Sequence, residues 1–411
     1  MNRPPSLNCR FCGATLTHTF VDLGSTPLAN SYVCQEELEQ PEPRYPLHAR
    51  VCDQCFLVQV ESVVLPEKIF SHYAYFSSWS TSWVAHASRF AEEIIKRFGL
   101  HHNSQVVEVA SNDGYLLRHF VAAGIPVLGI EPAANVAAVA DVPTEVTFFG
   151  EKTARDLRSR GFPADLLVGN NVLAHVPDLN DFVAGLAVLV KPTGVVSLEF
   201  PHLFTLMRET QFDTIYHEHF CYFSFLTVEH ILAHHGLTVF DVQELPTHGG
   251  SLRIFAHRTD GAKRAISSEV GCVRQMEQSA GMDQLDAYLG FAQRVDHVKE
   301  ALLNFLRSVQ SEGRKIVAYG AAAKGNTLLN TCHIGQDLIT YVVDRSSYKQ
   351  GRYMPGSHLA IHPPERIFET KPDYVLILPW NLKNEIMESM TDIRHWGGRF
   401  AIPIPDLTVV A

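Results

Sequence analysis

Residues 105–114 read QVVEVASNDG. Gln105–Ala110 is an apolar run interrupted by one acid, Glu108, and it empties into a turn of small and polar residues that ends at Gly114. A run apolar on both faces belongs inside a parallel sheet with helices on either side. The pattern repeats outward: a helix is expected over Tyr115–Ala123, a strand over Val127–Glu131 and a helix over Ala133–Ala140. A strand over Ala164–Gly169, a helix over Asp178–Val190 and a strand over Gly194–Phe200 follow. Such alternation predicts an α/β fold with a mostly parallel, doubly wound sheet. Leu237–Leu245 and Ser251–His257 read as two more strands, expected to be antiparallel at one edge.

Ligands of open α/β sheets sit beyond the carboxyl ends of the strands. The first strand end carries Glu108, Ala110, Asn112, Asp113 and Gly114; the second carries Glu131 and Pro132; the third runs out into Asn170 and Asn171. The G-x-G-x-x-G pattern of dinucleotide phosphate binding is absent here. An acidic, amide-rich turn opposes a pyrophosphate and suits a cationic, hydroxyl-rich ligand, and a carboxylate about 20 residues on can accept hydrogen bonds from a ribose diol. In this order the features point to S-adenosylmethionine. An acid at a strand end that only caps a helix is the plainer alternative for each one taken singly.

The chain has 411 residues, 46% hydrophobic and 19% charged, with a net charge of −10. That length suggests two or three domains, and the charge offers no cationic face for nucleic acid. No apolar run approaches the ~18 residues of a membrane span. The opening MNRPPSLNCRFCG lacks the apolar core of a secretory signal, so a cytoplasmic location is expected. Four of the eight cysteines form Cys9-x-x-Cys12 and Cys52-x-x-Cys55; Cys34, Cys221, Cys272 and Cys332 stand singly. Two such pairs read as a closed four-thiolate site for structural zinc; two unrelated pairs in a reduced protein are the alternative. The expected domains are a zinc-binding module at 1–68, the parallel-sheet domain at 69–258, and a further α/β domain at 259–411. The last opens with a long helical stretch near Gly281 to Glu312, then strands at Lys315–Tyr319, Leu338–Val343 and Tyr374–Leu378.

Three further segments carry chemistry: DTIYHEHFCYFS with Tyr216, His217, Glu218 and His219; NNVLAHVPDLNDF with His175; and YAYFSS with Tyr75 and Ser78. With the E-x-x-x-N-D-G turn at Glu108–Gly114, they make the chain resemble the sugar C-methyltransferases that act on nucleotide-linked deoxysugars. The resemblance spans nearly the full length. It departs at Ala110, where methyltransferases usually carry glycine. It implies a cysteine-rich zinc module, a class I methyltransferase (Rossmann-like) middle domain and a Rossmann-like C-terminal domain that helps hold the nucleotide.

The residue types suit the same roles. Methylating a carbon beside a sugar ketone needs a base for the α-proton and donors for the enolate oxygen. His219 is the expected base, Tyr216 and His175 the donors, and Glu218 orients the base or binds a sugar group. His217 and His219 would share a strand face as metal ligands, and incidental structural histidines are the other alternative among 21. The loop Tyr319–Thr327, with Lys324, Gly325 and Asn326, is expected to receive the substrate's pyrophosphate, against an alternative of tight helix–strand packing. His248, Gly249 and Ser251 are expected to line the same cleft. An O- or N-methyltransferase, a nicotinamide-dependent sugar oxidoreductase using the C-terminal domain and a non-catalytic zinc scaffold are the rival functions. The exact sugar, base and oligomeric state have no signature in the sequence.

Overall fold

A computed structural model describes residues 7–64 and 76–411. Tyr75 and the expected 68/69 boundary lie outside the described residues. The first sheet begins with β1 (His18–Thr26), β2 (Tyr45–Val51) and β3 (Val58–Val60), paired antiparallel in that order.

Helix α1 (Thr81–Phe98) leads into the middle unit. The Ser80 side chain caps its first turn through the Trp83 amide, and Gly99 ends it at φ 62°. Its buried face is Ala87, Phe90, Ala91 and Ile94, the spacing of an amphipathic helix. Strand β4 (Val106–Val109) is followed by α2 (Leu117–Ala122), β5 (Val127–Ile130), the two-residue β6 (Thr144–Glu145), α3 (Glu151–Ser159) and β7 (Ala164–Asn170). Then come α4 (Leu179–Leu189) and the long β8 (Val190–Pro201). Beyond these lie β9 (Cys221–Tyr222), α5 (Phe225–His234), β10 (Leu237–Leu245) and β11 (Ser251–Arg258). The middle sheet runs β10-β11-β8-β7-β4-β5-β6. It is parallel from β8 to β6, while β10 and β11 are antiparallel at one edge, as the sequence leads one to expect.

Strand β9 leaves the middle sheet and pairs with β3, making the first sheet four-stranded. Helix α6 (Ser268–Ser279) folds back on the middle unit: its buried Glu277 accepts from the Phe225 and Leu226 amides at the start of α5 and pairs with the buried His202 at 2.6 Å.

The long helix α7 (Phe291–Ser311) starts later than Gly281, since Gly281 turns at φ 75° and a separate four-residue helix intervenes. It leads to β12 (Ile316–Tyr319), α8 (Ala323–Thr331), β13 (Val342–Val343), β14 (Ile361–His362), β15 (Tyr374–Ile377), β16 (Arg399–Ile402) and β17 (Thr408–Val410). The third sheet runs β14-β13-β12-β15-β16-β17, parallel except for β17. Strand β13 is shorter than expected because Leu338 closes a turn on the Gly335 carbonyl.

The cysteine module has no core of its own. Phe20, Leu47, Val51 and Val58 share a hydrophobic cluster with Phe291, Val317 and Leu376 of the third unit. Phe20 stacks on Phe291 at 4.4 Å. Cys9, Phe11, Leu16 and Leu57 join the middle unit's cluster instead. No helix among the described residues is long and apolar enough to cross a membrane.

Candidate active site

The turn after β4 is conformationally expensive. Ala110 and Asn112 sit at φ 56° and 51°, and Gly114 at φ 79°; only glycine enters this region freely. The strain aims polar groups at one spot. Glu131, at the end of β5, accepts the Asn112 amide at 2.9 Å and the Ala133 amide, just past Pro132, at 2.8 Å. Burial raises its carboxyl. Ser77 donates its amide to Asn112 Oδ1 at 2.8 Å, and Ser78 donates both amide and hydroxyl to Asp113 Oδ2. Ser78, expected at the substrate, is thereby tied to the β4 turn.

Around this turn lie buried oxygens without a hydrogen-bond partner among the described residues: Ser111 Oγ, Asp113 Oδ1, Asn170 Oδ1 and Asn171 Oδ1, with the buried Glu108 beside the Tyr115 hydroxyl. Burial pushes the Glu108 carboxyl well up. An orphaned buried acceptor costs about 1–3 kcal/mol, so this many together imply a donor-bearing ligand.

Across the strand ends stands the Tyr216–His219 loop. His219 Nδ1 lies 3.0 Å from the Thr214 carbonyl, and its Nε2 lies 2.9 Å from the Tyr216 hydroxyl. A carbonyl can only accept, so Nδ1 carries the proton and the Nε2 lone pair accepts from Tyr216. Burial, and then the nearby His175, hold the imidazole well below its ordinary pKa, hence neutral. The His175 ring packs edge-on at 4.7 Å, with burial bringing its pKa down to about 4. The loop is pinned from three sides: Phe220 donates to the Ala174 carbonyl at 2.7 Å, the Val60 amide donates to the Phe220 carbonyl, and β9 pairs with β3. His217 turns away to the Pro46 carbonyl at 3.2 Å. Glu218 is buried, with Oε1 bound by Asn30 at 2.7 Å.

The third wall comes from the C-terminal unit. Lys324, near the start of α8, is half-buried; it donates to Asn381 at 2.8 Å and lies 4.5 Å over the Trp380 ring. Trp380 donates to the buried Asp213, whose carboxyl burial raises to about 6. A Cβ on Gly249 would strike Trp380 at 2.4 Å, so this contact requires glycine. His248, at φ 55°, bonds Asn171 at 3.1 Å, and Ser251 donates to the Thr247 carbonyl at 2.9 Å. The loop around Lys324 is less open to a phosphate than its composition suggests. The Ala321 amide is already taken by the Asp344 carboxylate at 2.7 Å, Gly325 packs on Leu378, and Asn326 donates to the Ala29 carbonyl.

Sequence reading passes over Asp213, Trp380, Asn30 and a buried network centred on Glu199. That carboxylate accepts from His86 at 3.0 Å, Thr247 at 2.8 Å and Arg253. Burial alone would raise it, but His86 and Arg253 outweigh that and hold it at about 2. Asp213 lies three residues before Tyr216, in the same segment, and that closeness is the signal that could have found it. Asn30 is 188 positions from its partner and has no local signal.

Family models match a zinc binding domain over residues 9–70, a methyltransferase domain over 83–242 and a C-methyltransferase C-terminal domain over 246–405. The C-methyltransferase NovU of Streptomyces niveus is 35% identical over 410 residues, which cover 99% of this chain and 97% of that one. The chain belongs to the C-methyltransferases. Its class therefore excludes the O- or N-methyltransferase, oxidoreductase and scaffold alternatives. Among solved structures, magnesium protoporphyrin IX methyltransferase from Synechocystis PCC 6803 is 15% identical over 43% of this chain and 81% of that one, with a TM-score of 0.32. The 1,6-didemethyltoxoflavin-N1-methyltransferase of Burkholderia thailandensis is 16% identical over 51% and 98%, with a TM-score of 0.34. At these TM-scores neither likeness decides anything about the site.

This C-methyltransferase uses S-adenosylmethionine, and the orphaned acceptors beyond β4 and β7 fit that cofactor's ammonium and hydroxyl groups. Its cysteine site fits zinc. The Sγ atoms of Cys9, Cys12, Cys52 and Cys55 all lie within 4.8 Å of one another. Cys9–Cys55 and Cys12–Cys52 stand at 3.5 and 3.4 Å with no disulfide. A tetrahedral zinc tetrathiolate has edges of about 3.8 Å, so small adjustments suffice. Gln59 donates to Cys9 Sγ at 3.3 Å, a support for the thiolate.

Proposed function

We propose that this C-methyltransferase methylates the carbon beside the ketone of a nucleotide-linked 4-keto-deoxysugar, with dTDP as the expected carrier, through an enolate. The supporting observation is the chain Thr214 carbonyl–His219–Tyr216, which fixes the imidazole tautomer and leaves Nε2 as its basic atom. On this reading residues 1–68 form the metal module, 69–258 the cofactor domain and 259–411 the nucleotide-sugar domain.

The donor, when bound, presents an electrophilic methyl on a sulfonium. Glu131 accepts from the ribose through its two remaining lone-pair sites, while Glu108, Asp113, Asn170 and Asn171 take the other donor groups, with Ala110 and Gly114 shaping the turn. As the ketone enters, the Tyr216 hydroxyl shifts from His219 to the ketone oxygen, which frees the Nε2 lone pair. Nε2 takes the α-proton, the C–H electron pair moves into the enolate, and Tyr216 holds its oxygen, while His175, whose one N–H goes to the Glu218 carbonyl, packs against the base. A neutral, half-buried imidazole is suited to this step because imidazolium and enolate form together, leaving the net charge of the site unchanged. The enolate carbon then takes the methyl, and His219 releases its proton to solvent. Lys324, from the opposite wall, supplies the cationic contact for the pyrophosphate; His248, Gly249 and Ser251 line the approach.

Supplying methyl-labelled cofactor with a panel of 4-keto nucleotide sugars tests this by carbon NMR. A product methyl bonded to carbon is expected; a methoxy signal, or no turnover across the panel, contradicts it.

A further inference from the structure

The segment Ala29–Tyr32 of the metal module lies between two parts of the site that are distant in sequence. The Ala29 carbonyl accepts from Asn326 at 2.7 Å, and the Tyr32 hydroxyl donates to the Ala321 carbonyl at 2.6 Å. Between them, Asn30 Nδ2 donates to Glu218 Oε1 at 2.7 Å. The Glu218 carboxylate can only accept, which assigns the Asn30 amide nitrogen to it, with Oδ1 turned to the Tyr32 side. Glu218 is 4% exposed, and its other oxygen, Oε2, is buried with no partner among the described residues.

We propose that Asn30 is a positioning residue: it holds Glu218 ionised and aimed so that Oε2 accepts a hydrogen bond from a hydroxyl of the substrate. This rests on Tyr216–His219 being the reacting loop. A carboxylate left with one buried, empty acceptor recognises a donor strongly, because a substrate lacking that hydroxyl leaves the charge unpaired.

The pH dependence follows from the surroundings. Burial raises the Glu218 carboxyl to about 7, and the Asn30 amide pulls against it. The groups around it are Tyr216, His217 and His219 on its own loop, His175 bonded to its backbone and Tyr32 beside Asn30; beyond these, Lys324 acts on His219, and Asp344, paired with Lys349, acts on Tyr32. His175 and His219 are held far below 7 by burial, so neither titrates there. Asn30 stabilises the charged form. Removing it raises the folded pKa of Glu218 and moves the acid limb of kcat/KM to higher pH by about one unit, the worth of a hydrogen bond to a charge.

The test uses the full-length, zinc-loaded enzyme with whichever 4-keto nucleotide sugar of the panel turns over. Asn30→Ala is expected to lose about fivefold in kcat/KM at pH 7, mainly through KM, and to recover at pH 9. Asn30→Asp, nearly the same shape but anionic, is expected to shift further. Glu218→Gln is expected to lack the limb and to make Asn30→Ala silent in the double variant. Unchanged zinc content and melting accompany these shifts. Profiles that superimpose on wild type, an Asp variant shifted less than Ala, or a pH-independent loss with lost zinc overturn the proposal. Its failure leaves α-proton exchange by His219 intact, and so is separable from failure of the enolate reading.

Discussion

At the scale of single residues, Ala110 shows how far a sequence signal reaches. The sequence marks it as an alanine where methyltransferases usually carry glycine, and the structure supplies the physical meaning: φ is 56°, a left-handed turn that an L side chain enters at a cost of about 1–3 kcal/mol. Ala110→Gly is expected to raise stability by about 1 kcal/mol after the lost methyl packing, read as a higher urea midpoint with an unchanged slope; a lower midpoint contradicts the strain. The acids Glu108, Asp113 and Glu131 were legible for the same reason, because strand ends in α/β sheets collect ligand groups. Lys324 was legible as a loop cation, but not its direction. Sequence spacing suggests an open phosphate loop, whereas Asp344 occupies the Ala321 amide and Lys324 leans over Trp380 toward Asp213. Trp380 is far from Lys324 in sequence, so no local pattern could have paired those two.

Elements were legible where one period dominates, as in β4, β7 and the buried stripe of α7, and illegible where pairing is long-range. Strand β9 is two residues long and carries no periodic signal, yet it couples the metal module to the reacting loop through β3 and the Val60–Phe220 hydrogen bond. Loss of the metal is therefore expected to travel. Cys9→Ser should lose zinc, since metal binding in such modules is largely folding free energy. Amides of Phe220–Tyr222 should then lose hydrogen-exchange protection, while β4 keeps its protection and cofactor binding survives. Full protection at Phe220–Tyr222 in zinc-free protein contradicts this coupling.

For the whole molecule, the three sequence blocks are not three independent bodies. The module's apolar residues sit in one cluster with those of the third unit, so Phe20→Ala is expected to cost about 3–5 kcal/mol. In calorimetry it should lower the transition that contains the C-terminal sheet as well as the first; an unshifted C-terminal transition contradicts the shared core. The site forms at the junction of all three parts: acceptors from the middle sheet, Asn30 from the module and Lys324 from the third unit surround His219. Whether this junction performs proton abstraction is most directly read by solvent deuterium entering the carbon beside the sugar ketone, with S-adenosylhomocysteine bound so that no methyl can transfer. Wild-type enzyme should incorporate deuterium at that carbon, and folded, ligand-binding His219→Asn should be slower by roughly 10²–10⁴-fold, the usual worth of a general base. Equal exchange in the two proteins contradicts the assignment of His219 Nε2 as the base.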